Sequence, residues 1–163
     1  MIRVLGIDPG LQITGYGVVE LPPGAIEPRL VEAGVIRMPA SHALSDRLVQ
    51  LHTELAEVLA EHCPNRIAVE QIYSHYAHPR TAVLMAHARG VILLAARTTG
   101  VEVVDLPSTE VKKSLTGYGH ASKQQMQLAV QSQCRLAEVP SPPDLADAIA
   151  IALCDARRCV TPV

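Results

Sequence analysis

The sequence predicts an α/β fold in which a five-stranded mixed sheet carries helices on both faces. Three apolar segments joined by short links come first in the chain, and this order indicates an antiparallel meander. The apolar period then changes to that of helices, which alternate with two further apolar strands and so continue the sheet through parallel βαβ units. No internal repeat or linker divides the 163 residues, so we expect one domain over 1–163.

Each element follows from local signals. The first strand ends at the turn Pro9-Gly10, the first helix ends at Pro64, and Gly117 and Gly119 separate two later helices. A polar loop over 74–80 leads into the second helix. The predicted strands are 3–8, 14–20, 29–37, 67–70 and 101–106, and the predicted helices are 43–63, a second ending near 99, 107–113, about 122–135 and about 144–158.

Composition excludes a membrane-spanning protein. The chain is 48% hydrophobic, but its longest apolar stretch, 83–96, is interrupted by His87, Arg89 and Gly90. The N-terminus runs straight into a strand without the features of a signal peptide, so we expect a cytoplasmic protein. The four cysteines form no CxxC pair, which favours reduced thiols over a zinc ribbon.

Net charge places a condition on any nucleic-acid function. The formal charge is −2 and the pI is near 6.4, which is not typical of a general nucleic-acid binder. If DNA is the substrate, the basic residues must gather on one face and a metal must offset an acidic site.

Four carboxylates are the candidate chemical groups. Asp8 and Glu70 each end an apolar strand, where ligands bind in open α/β sheets, although either residue alone could be a turn or a solvated strand end. Asp144 and Asp147 are three residues apart on a helix and share a face. Asp144 could instead be an N-cap or first-turn acid, whereas Asp147 leads into an apolar helical segment.

Together these acids predict a divalent-metal site that hydrolyses phosphodiesters. Two hard cations about 3.5–4 Å apart prefer oxygen ligands, activate a water and stabilise the leaving oxygen. Glycoside hydrolysis needs only two carboxyl groups and usually aromatic platforms, while this chain has no Trp or Phe. Motifs of serine or cysteine nucleophiles such as G-x-S-x-G are missing.

The chain resembles the RuvC family of Holliday-junction resolvases, within the ribonuclease-H-like superfamily. The resemblance rests on several motifs that occur in the same order over nearly the whole chain. They are Gly6-Ile7-Asp8-Pro9-Gly10, Thr14-Gly15-Tyr16-Gly17, Ala68-Val69-Glu70-Gln71, Arg89-Gly90, Val111-Lys112, Gly117-Tyr118-Gly119 with Lys123, and Ala146-Asp147-Ala148-Ile149-Ala150-Ile151-Ala152.

This resemblance implies a ribonuclease-H-like fold and a homodimer that nicks opposing strands of a four-way DNA junction. The cleavage would leave 5′-phosphate and 3′-hydroxyl ends, with two Mg²⁺ per site and Mn²⁺ able to substitute. RuvA and RuvB, a branch-migration complex, would be the partners. The family's four acids map onto Asp8, Glu70, Asp144 and Asp147, and some relatives have His at the position of Asp144.

The resemblance also implies a set of DNA contacts. Tyr73 would stack on bases near the junction centre, although a half-buried tyrosine at the loop base is the alternative. Lys112 and Lys123 would lie beside the cut phosphate, and Arg80 and Arg89 are weaker candidates for backbone contact. A zinc site at His75 and His78 is not favoured, because no soft ligands lie nearby in the sequence.

Several alternatives stay open from the sequence. A related ribonuclease-H-like nuclease that processes RNA and a catalytically silent junction-binding module both fit part of the pattern. An actin-like ATPase would need a second domain, for which 163 residues leave no room. The second helix, with Ala82, Val83, Ala86, Gly90 and Leu94, is more apolar than one core-facing stripe needs, so it is either a dimer interface or a central core helix.

Overall fold

The fold is described by a computed structural model of the chain, over residues 1–72 and 79–160. Strands and helices alternate in the predicted order. The elements are β1 (Ile2–Asp8), β2 (Ile13–Leu21), β3 (Arg29–Arg37), α1 (Leu44–His62), β4 (Arg66–Glu70), α2 (Pro79–Thr98), β5 (Glu102–Leu106), α3 (Ser108–Thr116), α4 (Lys123–Cys134) and α5 (Pro143–Arg158).

The five strands form one mixed sheet in the order β3-β2-β1-β4-β5. The three N-terminal strands pair antiparallel, and β4 and β5 are added in parallel through helical crossovers. The predicted fold class is therefore confirmed. This order places β1 and β4 side by side at the centre, so that Asp8 and Glu70 end neighbouring strands that run in the same direction.

The start of the second helix differs from the prediction. The predicted loop extends through Arg80, whereas α2 begins at Pro79, two residues inside that loop. A proline suits the first turn of a helix, because its missing N–H group would have no intrahelical partner there. The predicted end of α3 was also wrong: the helix continues to Thr116 and ends at Gly117, which takes the left-handed conformation.

The helices cover both faces of the sheet and create two separate cores. On one face, α5 packs against the central strands together with α3 and α4. On the other face, α1 and α2 bury an aliphatic cluster around Leu51, Leu55 and Ile92. The long apolar run of α5 is explained by its position, since every residue from Ala148 to Ala156 is buried.

A buried ion pair fixes the far end of α5. Asp155 is fully buried and accepts hydrogen bonds from Arg66 at the start of β4, with Nε at 3.0 Å and Nη2 at 3.3 Å. Asp155 is thus a third acid on α5, but it pairs with Arg66 and lies away from the carboxyl ends of the strands. An unpaired charge at this depth would be strongly destabilising.

Two further sequence expectations concern the chain as a whole. All four cysteines are free thiols, as predicted. Within the described ranges, the helices are each too short or too polar to cross a membrane.

Candidate active site

The four predicted acids converge on one pocket at the carboxyl ends of β1 and β4. Asp8 and Glu70 come from the sheet, and Asp144 and Asp147 come from the first two turns of α5. The pocket has a volume of about 600 Å³ and is open to solvent. Residues far apart in the sequence therefore meet where the strand-end argument expects a ligand.

The turn after β1 fixes the position of Asp8. Thr14 is fully buried, and its hydroxyl donates to the carbonyl of Gly10 at 2.6 Å and accepts from the Gly10 N–H at 3.1 Å. These two bonds close the loop between β1 and β2. The backbone direction after Asp8 is therefore fixed. The Asp-Pro-Gly turn both closes the hairpin and positions Asp8 in the site.

Glycines allow α5 to lie directly on the hairpin. Gly15 pairs with Asp8 across the strands, so their substituents share the face that meets α5. A Cβ atom on Gly15 would lie 2.7 Å from the carbonyl carbon of Asp144 and closer still to its oxygen. A Cβ atom on Gly6 would lie 2.8 Å from the Cβ of Ala152. This close approach brings the helical acids to the strand-end acids.

The beginning of α5 shows where Asp144 lies relative to the N-cap and to the pocket. The N-cap residue is Pro142, so Asp144 is not the N-cap; it lies in the first turn, where the helix dipole favours an acid. The same residue lines the pocket with Asp147. Its place in the first turn and its place in the site are therefore compatible.

Burial and mutual repulsion perturb three of the acids. The pKa of Asp8 is raised well above 3.8, first by burial and then by the negative charges of Glu70, Asp147 and Asp144. Burial likewise raises the pKa of Glu70 and that of Asp147, with a further contribution from a neighbouring acid in each case. Carboxylates packed in this way carry an electrostatic cost that a bound cation relieves.

Two lysines supply positive charge beside the acids of the pocket. Lys112 on α3 is partly buried and Lys123 begins α4, and both line the pocket as the resemblance implied. Their charges act to lower the pKa values of Glu70 and Asp147. The basic residues needed beside an acidic site are thus concentrated locally, although the whole chain is slightly acidic.

The donor set fits hard divalent cations. All four acids offer carboxylate oxygens, and no cysteine or histidine lines the pocket among the residues described. The four groups surround the pocket rather than meeting at one point. Within the described ranges, a different set of metal-ligand side chains has three ligand atoms within 4.8 Å of one another. This set is Glu32, Glu61 and His62, away from the four acids.

The two predicted arginines differ in their surroundings. The side chain of Arg89 is 17% exposed, and its guanidinium forms an ion pair with Asp105 and donates to the carbonyl oxygen of Glu70 at 3.3 Å. Arg80 is exposed in the first turn of α2. Tyr73 and the pair His75 and His78 lie outside the described residues, so their predicted roles are not tested by the structure.

One pocket residue was missed by the sequence reasoning. Arg47 on α1 is 9% exposed and lines the pocket, and its Nε donates to the carbonyl of Leu11 at 3.0 Å. The signal was present, because Arg47 precedes Leu51 and Leu55 at intervals of four and thus occupies the buried face of an amphipathic helix. A charged residue on that stripe is a candidate for a site at the end of the core.

The sheet order and the carboxylates at the ends of β1 and β4 and on α5 define a ribonuclease-H-like nuclease. Comparisons with known proteins specify the family further. The profile of the family described as crossover junction endodeoxyribonuclease RuvC matches residues 4–155. The chain therefore belongs to this family of nucleases.

Individual relatives agree with this assignment. The crossover junction endodeoxyribonuclease RuvC of Rhodopirellula baltica is 52% identical over 153 residues, which are 93% of this chain and 84% of the relative. The structure of Thermus thermophilus RuvC in complex with a Holliday junction substrate has a TM-score of 0.89 and 36% identity, covering 98% of this chain and 95% of that one. The yeast mitochondrial resolvase Ydc2, with a TM-score of 0.68 and 16% identity, shares the fold.

Proposed function

We propose that this nuclease resolves four-way DNA junctions by paired, symmetric nicks. In each nick, a water oxygen attacks the phosphorus in line and gives up a proton to solvent. The bond from phosphorus to the 3′-oxygen breaks, and the 3′-oxygen takes a proton from solvent and leaves as a hydroxyl. The products are a 5′-phosphate and a 3′-hydroxyl. The observation that carries this proposal is the meeting of four acids and two lysines in one open pocket.

The acids Asp8, Glu70, Asp144 and Asp147 are the residues that would hold the metal. Their oxygens suit Mg²⁺, which we propose as the cofactor at two per site, with Mn²⁺ as a substitute. When bound, such ions lower the pKa of water and stabilise charge on the leaving oxygen. The fixed position of α5 on the hairpin keeps these acids in place before the substrate arrives.

Lys112 and Lys123 would bind the DNA beside the cut phosphate. Both lie in the wall of the acid pocket, where a cation attracts a polyanion that the acids alone would repel. We assign Arg80, exposed at the start of α2, to backbone contact outside the pocket. For Arg89, the contacts with Asp105 and the Glu70 carbonyl support a positioning role beside the proposed DNA contact. Stacking by Tyr73 on junction bases stays a prediction.

A homodimer through α2 is part of the proposal. The helix buries Ala88, Ile92 and two further alanines, while Val83 and Leu94 are each 57% exposed. Val83 and Leu94 are eleven residues apart, about three turns, so they lie on the same side of the helix. An apolar face left open by the monomer favours the interface interpretation over a central core helix, and paired nicks need two active sites.

Replacement of Leu94 by Glu tests this interface. A buried carboxylate at a symmetric contact is costly in both copies, so the variant should sediment as a monomer where the parent protein sediments as a dimer. Val49→Glu is the matched control, because Val49 is 66% exposed on α1 and lies outside the proposed face. A Leu94→Glu variant that stays dimeric would refute this interface.

The remaining partners follow from the resemblance. We propose that RuvA and RuvB deliver the junction to this nuclease in the cytoplasm. The check is co-sedimentation of the chain with a RuvA–RuvB–junction complex. A chain that never joins that complex would contradict the partnership but not the cleavage.

Substrate choice is the decisive experiment for the proposed function. Equal amounts of a four-way junction, the matching duplex and an RNA–DNA hybrid compete for the protein in Mg²⁺, and each product is quantified. Preferred cutting of the junction supports a resolvase. Preferred cutting of the hybrid supports an RNA-processing nuclease, and binding of the junction without any cutting supports a silent module.

A further inference from the structure

A second group of metal-ligand side chains lies away from the acid pocket. Glu32 belongs to the edge strand β3, and Glu61 and His62 are the last two residues of α1. One ligand atom from each residue lies within 4.8 Å of the other two. None of the three lines the acid pocket, so the nuclease chemistry does not account for them.

The buried imidazole of His62 distinguishes this group from a pair of surface acids. His62 is only 7% exposed, and its Nε2 atom has no hydrogen-bond partner among the described residues. The atom points towards the acids: Nε2 lies 3.3 Å from Oε2 of Glu32, without the geometry of a hydrogen bond. A buried polar nitrogen without a partner is costly, and a cation bound to it would remove that cost.

We propose that Glu32, Glu61 and His62 form a second cation site that binds Zn²⁺. One imidazole nitrogen with two carboxylates is a ligand set for zinc, whereas Mg²⁺ prefers oxygen and water. Tetrahedral zinc with ligand bonds of about 2.0–2.1 Å places neighbouring ligand atoms about 3.3 Å apart. The separation of His62 Nε2 from Glu32 Oε2 has this value. A water would fill the fourth position.

The surroundings of the site also favour a cation. Glu61 and His62 end α1, where the helix dipole places partial negative charge, and the carbonyl oxygen of His62 accepts a hydrogen bond from the guanidinium of Arg3. Tyr16 donates its hydroxyl to Oε1 of Glu32 at 3.0 Å, which leaves Oε2 on the side of His62. Such outer contacts orient the ligands of metal sites.

The function of the site would be to join two elements. The ion would connect the end of α1 to β3, the outermost strand of the antiparallel meander. Within the described part of the chain, β3 pairs with β2 on one side and with no strand on the other. Zinc bound there stabilises the folded chain because the unfolded chain does not hold the three ligands together.

Calorimetric titration of Zn²⁺ into the EDTA-treated full chain, with excess Mg²⁺ to occupy the acid pocket, tests the proposal. We expect one Zn²⁺ per chain and a higher midpoint of thermal unfolding with zinc. Glu32→Gln and His62→Gln should weaken binding more than about 100-fold, and Tyr16→Phe, which removes an outer contact, about 10-fold. Glu32 is 40% exposed, so its variant should fold even if the buried His62 variant does not.

Two matched variants separate this site from other zinc ligands. Asp147→Asn removes an acid of the pocket, and Cys63→Ser removes the exposed thiol that follows α1; both should bind Zn²⁺ as the parent chain does. Zinc binding that survives Glu32→Gln, or that disappears with Asp147→Asn or Cys63→Ser, would overturn the proposal. So would a chain that binds no zinc.

Discussion

Gly15→Ala should uncouple the acid pair on α5 from the acids on the sheet. In the structure, the new methyl group would lie 2.7 Å from the carbonyl carbon of Asp144 and 3.2 Å from the Cβ of Ala148, while ordinary contacts are 3.4–4 Å. The obstacle is backbone, which cannot turn aside as a side chain can. The first turns of α5 must therefore withdraw by roughly 1 Å, a van der Waals estimate for carbon contacts.

A displacement of this size has a large expected effect on cleavage. A shift of about 1 Å in catalytic groups can lower a rate on the order of 100-fold. Overpacking at a rigid contact should also lower the free energy of unfolding by about 1–3 kcal/mol. We therefore expect folded Gly15→Ala to cut a four-way junction about 100-fold more slowly in a single turnover, while its junction affinity in the absence of Mg²⁺ is preserved.

Gly34→Ala is the control, because it makes the same substitution at a glycine whose added methyl group would meet Tyr16 rather than α5. Gly34 lies on β3, and a Cβ atom there would lie 2.6–2.8 Å from the hydroxyl oxygen and two ring carbons at the end of the Tyr16 side chain, which can turn aside where backbone cannot. Circular dichroism and urea unfolding establish that both variants are folded under the assay conditions. We expect Gly34→Ala to retain its cleavage rate. A Gly15→Ala protein that cuts as fast as the parent would refute the claim that the glycine contact positions the acids.

Three further predictions concern charge. Asp147→Asn should abolish cleavage in Mg²⁺ while gel-shift binding of the junction is unchanged or tighter, because the acids repel phosphate when metal is absent; normal cutting would refute the metal-ligand role. Lys123→Gln should weaken junction binding and reduce the slope of log affinity against log salt by about 1. Lys113 lies outside the pocket, so Lys113→Gln should cause a smaller loss of affinity and a smaller change in slope. Hydrogen bonds from two arginines lower the pKa of Glu20 below 4.5, so its stabilising effect is complete above that pH and is lost as the pH falls through the lowered value. Urea unfolding at neutral and acid pH should therefore show a weaker acid dependence for Glu20→Gln, and an unchanged dependence would contradict the assignment.

The parts of the site that the sequence predicted rest on short-range patterns. The Pro9-Gly10 turn marks Asp8 as the end of a strand, and Glu70 directly follows the apolar run 67–69, so both acids could be placed at the carboxyl ends of strands. The spacing of Asp144 and Asp147 placed both on one helical face. Parallel pairing of β1 with β4 then follows from the order of the elements, and it brings these acids to one edge of the sheet.

Other features depend on contacts between distant segments. The role of Gly15 appears only when α5 is placed on the hairpin, since a glycine in a strand has several explanations. His62 and Glu32 are thirty residues apart, on a helix end and an edge strand, and no spacing in the sequence connects them. Arg47 could have been found from its position on the apolar stripe of α1, but the pocket that it lines involves seven other elements.

The central claim is that the acid pocket cuts junction DNA in a metal-dependent and symmetric way. The most direct test is the mapping of cleavage sites on a synthetic mobile four-way junction, labelled on each strand in turn, with Mg²⁺ and with EDTA. We predict nicks at matching positions on two opposing strands in Mg²⁺ only, with ends that a DNA ligase can reseal. Cutting in EDTA, or nicks spread over all four arms without symmetry, would contradict the proposed function.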